Sequence, residues 1–274
     1  MTAATDIAVT SSARGQPWRV LLWLAPLTAS WIALNYWVPG LQASGVPTTT
    51  VRLAIHIAIA LGLWLALERT ELAPRRRLDV WLALVVPFTL WLAVIWSAAI
   101  NGVFRPGNLP LLVPFAIFVP VIVGVPILLR SKRIGEVLDA MPASWLIGLQ
   151  VYRVFGGIFL VGWARGVVPG IFALPAGIGD VTTGLLALPV AYYLASWNGD
   201  AARAAIAWNI LGLIDFTIAV GIGLAIAPGP LQLIIPSIPN AGGGLYPTVL
   251  IPAFAVPSSI LLHVLSLRQL RRAR

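Results

Sequence analysis

Three ionisable residues, Arg153, Asp180 and Asp215, each sit in a stretch that otherwise reads as membrane. Charged side chains at bilayer depth are costly, and where they occur they mark ion pathways, proton relays and substrate sites. The two aspartates share a local pattern, Gly-x-x-Asp-x-Thr, first at Gly177, Asp180 and Thr182 and again at Gly212, Asp215 and Thr217. One arginine facing two aspartates leaves one excess negative charge if all three ionise. One aspartate is therefore expected to hold a proton or share a cation, which is the chemistry of a proton relay or a coupling-ion site. The same pair could serve as general acid and base on a lipid-like substrate. A purely architectural alternative is a buried ion pair that docks helices, as in a non-catalytic subunit or assembly factor.

The neighbours of each charge suit a helix–helix contact. Residues three, four or seven apart share a helix face. That rule puts Gly177 and Gly184 beside Asp180, Gly212 and Ala219 beside Asp215, and Gly156 and Gly157 beside Arg153. Small residues let membrane helices approach closely. Gln150, Thr183 and Asn209 lie on the same faces and are expected to supply the hydrogen bonds that a buried charge needs. The candidate substrate- or ion-binding set is thus Arg153, Asp180, Asp215, Gln150, Thr183 and Asn209. The two pattern copies fall on oppositely directed helices, which hints at an inverted pair around one site. So short a pattern in Gly- and Ile-rich helices also arises by chance.

The chain's two histidines, His56 and His263, both fall in apolar stretches. A shared haem iron needs them at one depth, but span counting separates them by on the order of 15 Å. Each is expected to be a hydrogen-bonded histidine near a membrane interface, with Ser259 and Ser266 on the face of His263. They are weak metal candidates: there is no Glu-x-x-His, no His-x-x-Glu-His and no cysteine in the chain. The absence of cysteine also removes disulfide, thiolate and iron–sulfur chemistry. The single lysine, Lys132, lies between apolar stretches, so a retinal Schiff base is excluded. No nucleophile elbow, Walker motif, dinucleotide fingerprint or aspartate-rich prenyl-diphosphate motif is present. No cofactor is expected.

The elements that must hold these residues follow from composition. The chain has 274 residues, 59% hydrophobic and 10% charged, whereas a soluble domain carries about 25% charged residues. This is the composition of an all-α, polytopic integral membrane protein. A crossing helix needs about 20 apolar residues, and eight stretches qualify: 18–38, 51–68, 80–101, 110–130, 145–164, 171–196, 204–227 and 247–267. Arginine placement sets the orientation. With eight spans, Arg14, Arg19, Arg75–Arg77, Arg130, Lys132, Arg133, Arg203 and Arg268–Arg274 share one side, and Arg52, Arg105 and Arg165 take the other. Both termini are expected to be cytoplasmic, in a bacterial-type inner membrane. The formal charge of +9 thus reads as a topology signal, and nucleic acid is excluded as a partner. The expected partners are the lipid bilayer and an unidentified small molecule or ion, and a homo-oligomer is compatible with the sequence.

Residues 1–17 read as a disordered cytoplasmic tail, 18–130 as four apolar scaffold helices, 145–267 as four helices with a polar core, and 268–274 as a basic tail. Trp18, Trp37, Trp81, Trp145, Trp163 and Trp197 fall near span ends, as an aromatic belt does. Prolines inside spans, among them Pro26, Pro87, Pro189, Pro252 and Pro257, predict kinks. The Pro/Gly-rich connection 228–246 either lies in the interface or dips over a cavity as a lid. The leading functional expectation is a small, proton- or cation-coupled transporter or permease with Arg153, Asp180 and Asp215 at the membrane midplane.

Overall fold

Among the described residues, eight helices are long and apolar enough to cross a membrane. A computed structural model describes residues 16–105, 107–108, 111–196, 200–239 and 241–272. Most of the expected N-terminal tail, with Arg14, lies outside the described residues, as do Trp197, Asn240 and Arg274. No strand is found among the described residues.

The chain opens with a 3-10 turn at Pro17–Val20 that runs into α1, Leu21–Trp37, followed by the short α2, Pro39–Ala43. The second span is α3, Val46–Glu68, and the third is α4, Pro74–Ile100. Both start earlier than hydropathy suggests. Each places a proline in its first turn, where the missing N–H costs nothing because no carbonyl is there to receive it. The polar residues Thr48–Thr50 and Arg75–Arg77 are therefore helical rather than connecting. The fourth span is α5, Leu112–Arg130, and α6, Lys132–Ala140, is a surface helix capped by Ser131.

The fifth span is broken. Its ends, α7 (Ser144–Leu149) and α8 (Ile158–Ala164), flank a 3-10 segment at Gln150–Gly157. Eight residues are a long run for this tighter winding, and a mid-helix stretch of it marks a hinge or a strained sequence. The sixth and seventh spans, α9 (Gly170–Ala195) and α10 (Ala201–Ile226), are continuous. The eighth begins as a π turn at Ile251–Ala255 and continues as α11, Val256–Arg272. Pro252 and Pro257 have no N–H to donate, so the regular ladder cannot form across this stretch.

Burial divides the bundle. The fifth and eighth spans are about half buried, whereas α5 buries Ile117 alone. The 3-10 segment packs on α9, α9 on α10, and α10 on α11. The late helices thus form the interior, and α1, α4 and α5 present apolar faces outward. Trp18, Trp37 and Trp163 are exposed at helix ends. Trp81 and Trp145 instead take partners: Trp81 Nε1 donates to the Ala60 carbonyl at 2.8 Å, and Arg69 lies 4.4 Å over the Trp145 ring.

Candidate functional site

Arg153 lies at the centre of the broken fifth span, with a side chain 1% exposed. Its Nε donates to Asp180 Oδ1 on α9 at 2.8 Å, and its Nη2 to Asp215 Oδ2 on α10. Nη1 donates to His263 Nε2 on α11 at 3.2 Å. Arg153 Cζ lies over the Phe216 ring, 3.9 Å from its centroid. Three helices, α9, α10 and α11, therefore meet on the side chain that the 3-10 segment carries. Because Nη1 can only donate, His263 Nε2 accepts. Nδ1 then carries the proton and donates to Asn209 Oδ1 at 2.9 Å. Asn209 Nδ2 completes the chain by donating to the Ala205 carbonyl at 2.8 Å and to Ser266 Oγ at 3.0 Å.

Glycine makes this convergence sterically possible. A methyl group at Gly156 would run into the Asp180 carboxylate, one at Gly179 into Asp215, and one at Gly212 into the His263 ring. At Gly184 it would sit against the backbone of Arg153 and Val154, and at Gly157 it would meet Ile32 Cγ1 at 2.7 Å. Gly177 faces Leu160 at 2.7 Å.

The structure brings together Arg153, Asp180, Asp215 and, through His263, Asn209. It separates Gln150 and Thr183 from them. Gln150 Nε2 donates to the Ser259 carbonyl at 3.1 Å and so ties the 3-10 segment to α11. The Thr183 hydroxyl is buried with no partner among the described residues, and its carbonyl accepts from Trp208 Nε1 at 3.0 Å. Asn209 serves His263 rather than Asp215. The Gly-x-x-Asp-x-Thr pattern dissolves as well: Thr182 is exposed, and exposed Thr217 bonds back to the Leu213 carbonyl at 2.9 Å. Each threonine stands two residues from its aspartate, a step that turns a helical side chain to another face.

His263 corrects the expectation of an interfacial histidine. The helix runs on to Arg272 rather than stopping near 267, so His263 is deep in the bundle and fully buried. A stripe of Ser259, His263 and Ser266 on one face of an apolar helix was the available signal. His56 sits apart: its Nε2 pairs with Thr89 Oγ1 at 2.9 Å, and its ring stacks on Phe88 with centroids 4.7 Å apart. No group of three His, Cys, Asp or Glu side chains suited to a metal ion exists among the described residues.

Arg52 changes the charge count. Since α3 starts at Val46, Arg52 is inside the span rather than at its end, and it is buried. It lies within electrostatic range of Asp180 and Tyr152. Two arginines, Arg52 and Arg153, thus accompany two aspartates, and the excess negative charge expected from Arg153 alone disappears.

A cavity of about 500 Å³ leads to this cluster. Asp180 and Asp215 line its inner end, with side chains 17% and 8% exposed. Its other end is lined by both limbs of the 228–246 connection, through Pro228–Leu231 and Gly242–Gly244. The middle of that connection projects outward, with Leu233 and Ile235 almost fully exposed. The connection therefore both covers the cavity and offers apolar side chains to its surroundings. A larger hollow of about 1170 Å³ between α3, α4, α5 and α11 is lined by aliphatic and aromatic side chains without a charge, and it has no part in the site.

Residues 110–271 match the model of a family described as a domain of unknown function, DUF8737. The match spans the last five crossing helices and includes every residue of the charge cluster except Arg52. No curated protein and no solved structure matches the chain.

Proposed function

We propose that this chain, which belongs to the DUF8737 family of unknown function, is a small multi-pass transporter or permease coupled to a proton or cation. The observation that carries the proposal is the Arg153–Asp180–Asp215 cluster at the inner end of a cavity that opens at one end of the bundle. A buried ion pair that only docked helices would need no route to it. Of the two carboxylates Asp180 is the more exposed, so a proton or cation entering the cavity meets it first. Neutralising Asp180 weakens one of the three polar contacts of Arg153 and leaves Asp215 and His263 in place. α9 is then held less tightly to the 3-10 segment, against which it packs through Gly156 and Gly184. That segment and the π turn of the eighth span are the irregular backbone that can absorb the movement. Arg153 positions the carboxylates in this scheme, because each of its three nitrogens already donates to a neighbour.

Eight crossings return the chain to the side on which it began, and arginine-rich segments then collect on that side. This supports both termini facing the cytoplasm, in a bacterial-type inner membrane. The test is flux into proteoliposomes, comparing wild type with Asp180→Asn and Asp215→Asn. Loss of gradient-driven flux in Asp180→Asn, with the fold intact, is the expected result. Full flux in both variants would leave the cluster an architectural role alone.

A further inference from the structure

The larger hollow stands apart from the charge cluster. It lies between α3, α4, α5 and α11 and has a volume of about 1170 Å³. Glycine and proline keep these helices apart. Gly62 on α3 lines the hollow, and a methyl group there would meet nothing within 4 Å. Pro87 on α4 and Pro120 on α5 line it too, and a proline inside a helix kinks it. No charged side chain is in the wall. Leu61 and Leu65 on α3, and Val123 and Ile127 on α5, line it and are themselves exposed. The hollow therefore opens sideways, along the edges of α3 and α5, to whatever surrounds two membrane-crossing helices. On α5 it runs from Val119 to Leu128, about 14 Å of helix. That is the depth of one leaflet, half of a hydrocarbon core about 30 Å thick.

One end of the hollow is basic. It is closed by α6 and the start of α7, through Ile134, Leu138 and Trp145. Exposed Arg69 lies over the Trp145 ring, with Cζ 4.4 Å from the centroid. Arg268 donates through Nη1 to the carbonyl of Leu128, another wall residue, and through Nη2 to the Ser131 carbonyl at 2.9 Å. A ring face and neutral carbonyls hold a guanidinium without cancelling its charge, and neither arginine forms an ion pair among the described residues. Three acids at this end already have partners: Glu68 accepts from Trp64 Nε1 at 2.8 Å, Glu136 pairs with Arg133, and Asp139 with Arg272. α6 packs on both α3 and α11. Over residues 68–79, 130–140 and 268–272, which these contacts gather at one end, ten basic side chains stand against five acidic ones, so the field at the rim favours an anion. We propose that the hollow holds an acyl chain of an anionic phospholipid, with the lipid's phosphate at the rim beside Arg69. A free phosphate would leave the apolar wall unfilled, and a zwitterionic headgroup would bring its own cation to a basic rim. A lipid of one leaflet matches both the depth of the hollow and the charge at its end. The hollow is separate from the Arg153 cluster, so losing the lipid site would leave the transport reading untouched.

The test uses the full chain reconstituted in vesicles of equal parts phosphatidylglycerol and phosphatidylcholine with the same acyl chains. The protein is then extracted, and native mass spectrometry counts the lipids that stay bound. Wild type should retain phosphatidylglycerol in preference to phosphatidylcholine. Arg69→Gln should lower that preference by about fivefold, the worth of one basic residue beside an anionic headgroup, and Arg69→Lys should keep most of it. Arg203→Gln is the control: its residue is exposed at the same side of the membrane, on α10, which contributes nothing to the hollow, and the preference should not change. Gly62→Leu fills the hollow and should reduce retention of phosphatidylglycerol. Excess glycerol 3-phosphate, a headgroup without chains, should not displace the lipid. No retained lipid, equal retention of the two lipids by wild type, or an unchanged preference in Arg69→Gln would overturn the proposal. An equal loss in Arg203→Gln would replace the site by a general attraction of the basic surface. Unchanged retention in Gly62→Leu, or displacement by glycerol 3-phosphate, would overturn the placing of the acyl chain. If Gly62→Leu does not fold, the displacement experiment on wild type decides that point alone.

Discussion

Replacing Arg153 by methionine keeps most of its volume and removes its charge, and the consequences depend on which charges stay behind. The guanidinium makes two hydrogen bonds to carboxylates and one to His263. Hydrogen bonds to charged groups contribute about 1.5–3 kcal/mol each. Breaking a buried ion pair from one side costs about 3–5 kcal/mol, because the partner is left charged and unpaired. Arg153→Met is thus expected to destabilise the fold by about 3–5 kcal/mol. The compensating changes discriminate further. Arg153→Met with Asp215→Asn leaves one positive and one negative charge, Arg52 and Asp180, and should recover about half of the loss or more by the same reasoning. Adding Asp180→Asn leaves Arg52 alone and uncompensated, so the triple variant should be less stable than the double. Reversible unfolding in mixed micelles of rising dodecyl sulfate content, followed by tryptophan fluorescence, measures the series. A triple variant more stable than the double would refute the role given to Arg52 in the charge balance. A cost below about 1 kcal/mol for Arg153→Met would refute the cluster's part in holding the helices, since that is the worth of an exposed pair.

Three further outcomes follow from the same contacts. Gly184→Ala puts a methyl group against the backbone of Val154 and Arg153 and should cost about 1–3 kcal/mol as overpacking, while Gly221→Ala, with open space around it, should be neutral or slightly stabilising in the same unfolding assay. Asn209→Leu removes the acceptor of His263 Nδ1 and should cost about 1–3 kcal/mol; adding Ser266→Ala should cost little more, because its partner is already gone, and full additivity would argue against the chain of bonds. Outside the membrane-spanning segments, the hydrogen bond from Arg272 holds the Asp139 carboxyl below its ordinary range. The folded-state value is lowered, so the pair stabilises the fold above the usual carboxylate range and the contribution fades as the pH falls through it. The effect is small because both side chains are about half exposed, and Asp139→Asn should flatten this part of the acid arm of the thermal stability curve.

The eight crossings were legible because length and apolarity are what a membrane demands of a helix. Boundaries were less so. Pro47 and Pro74 start helices through polar residues that hydropathy assigns to connections, and for α3 hydropathy therefore leaves Arg52 at an outer edge instead of inside the bundle. The convergence of Arg153, Asp180 and Asp215 could be anticipated from charge in apolar helices with glycine on the same faces. Hydrogen-bond partners could not. Gln150, Thr183 and Asn209 occupy suitable faces, but partner choice depends on packing across α9, α10 and α11. The 3-10 winding of Gln150–Gly157 and the π turn at Ile251–Ala255 leave no periodic signal strong enough to read. Hydropathy ends the last helix near 267, short of Arg272, and so sets His263 closer to the interface than it lies.

Gradient-driven uptake tests the proposed coupling at Asp180. Proteoliposomes holding the wild-type chain, the Asp180→Asn variant or no protein are given a pooled metabolite extract under an imposed proton, sodium or potassium gradient, and their contents are analysed by mass spectrometry. At least one solute should accumulate with the wild-type chain under one of these gradients and not with Asp180→Asn. Equal accumulation by wild type and variant, or none above empty vesicles under any gradient, would contradict it.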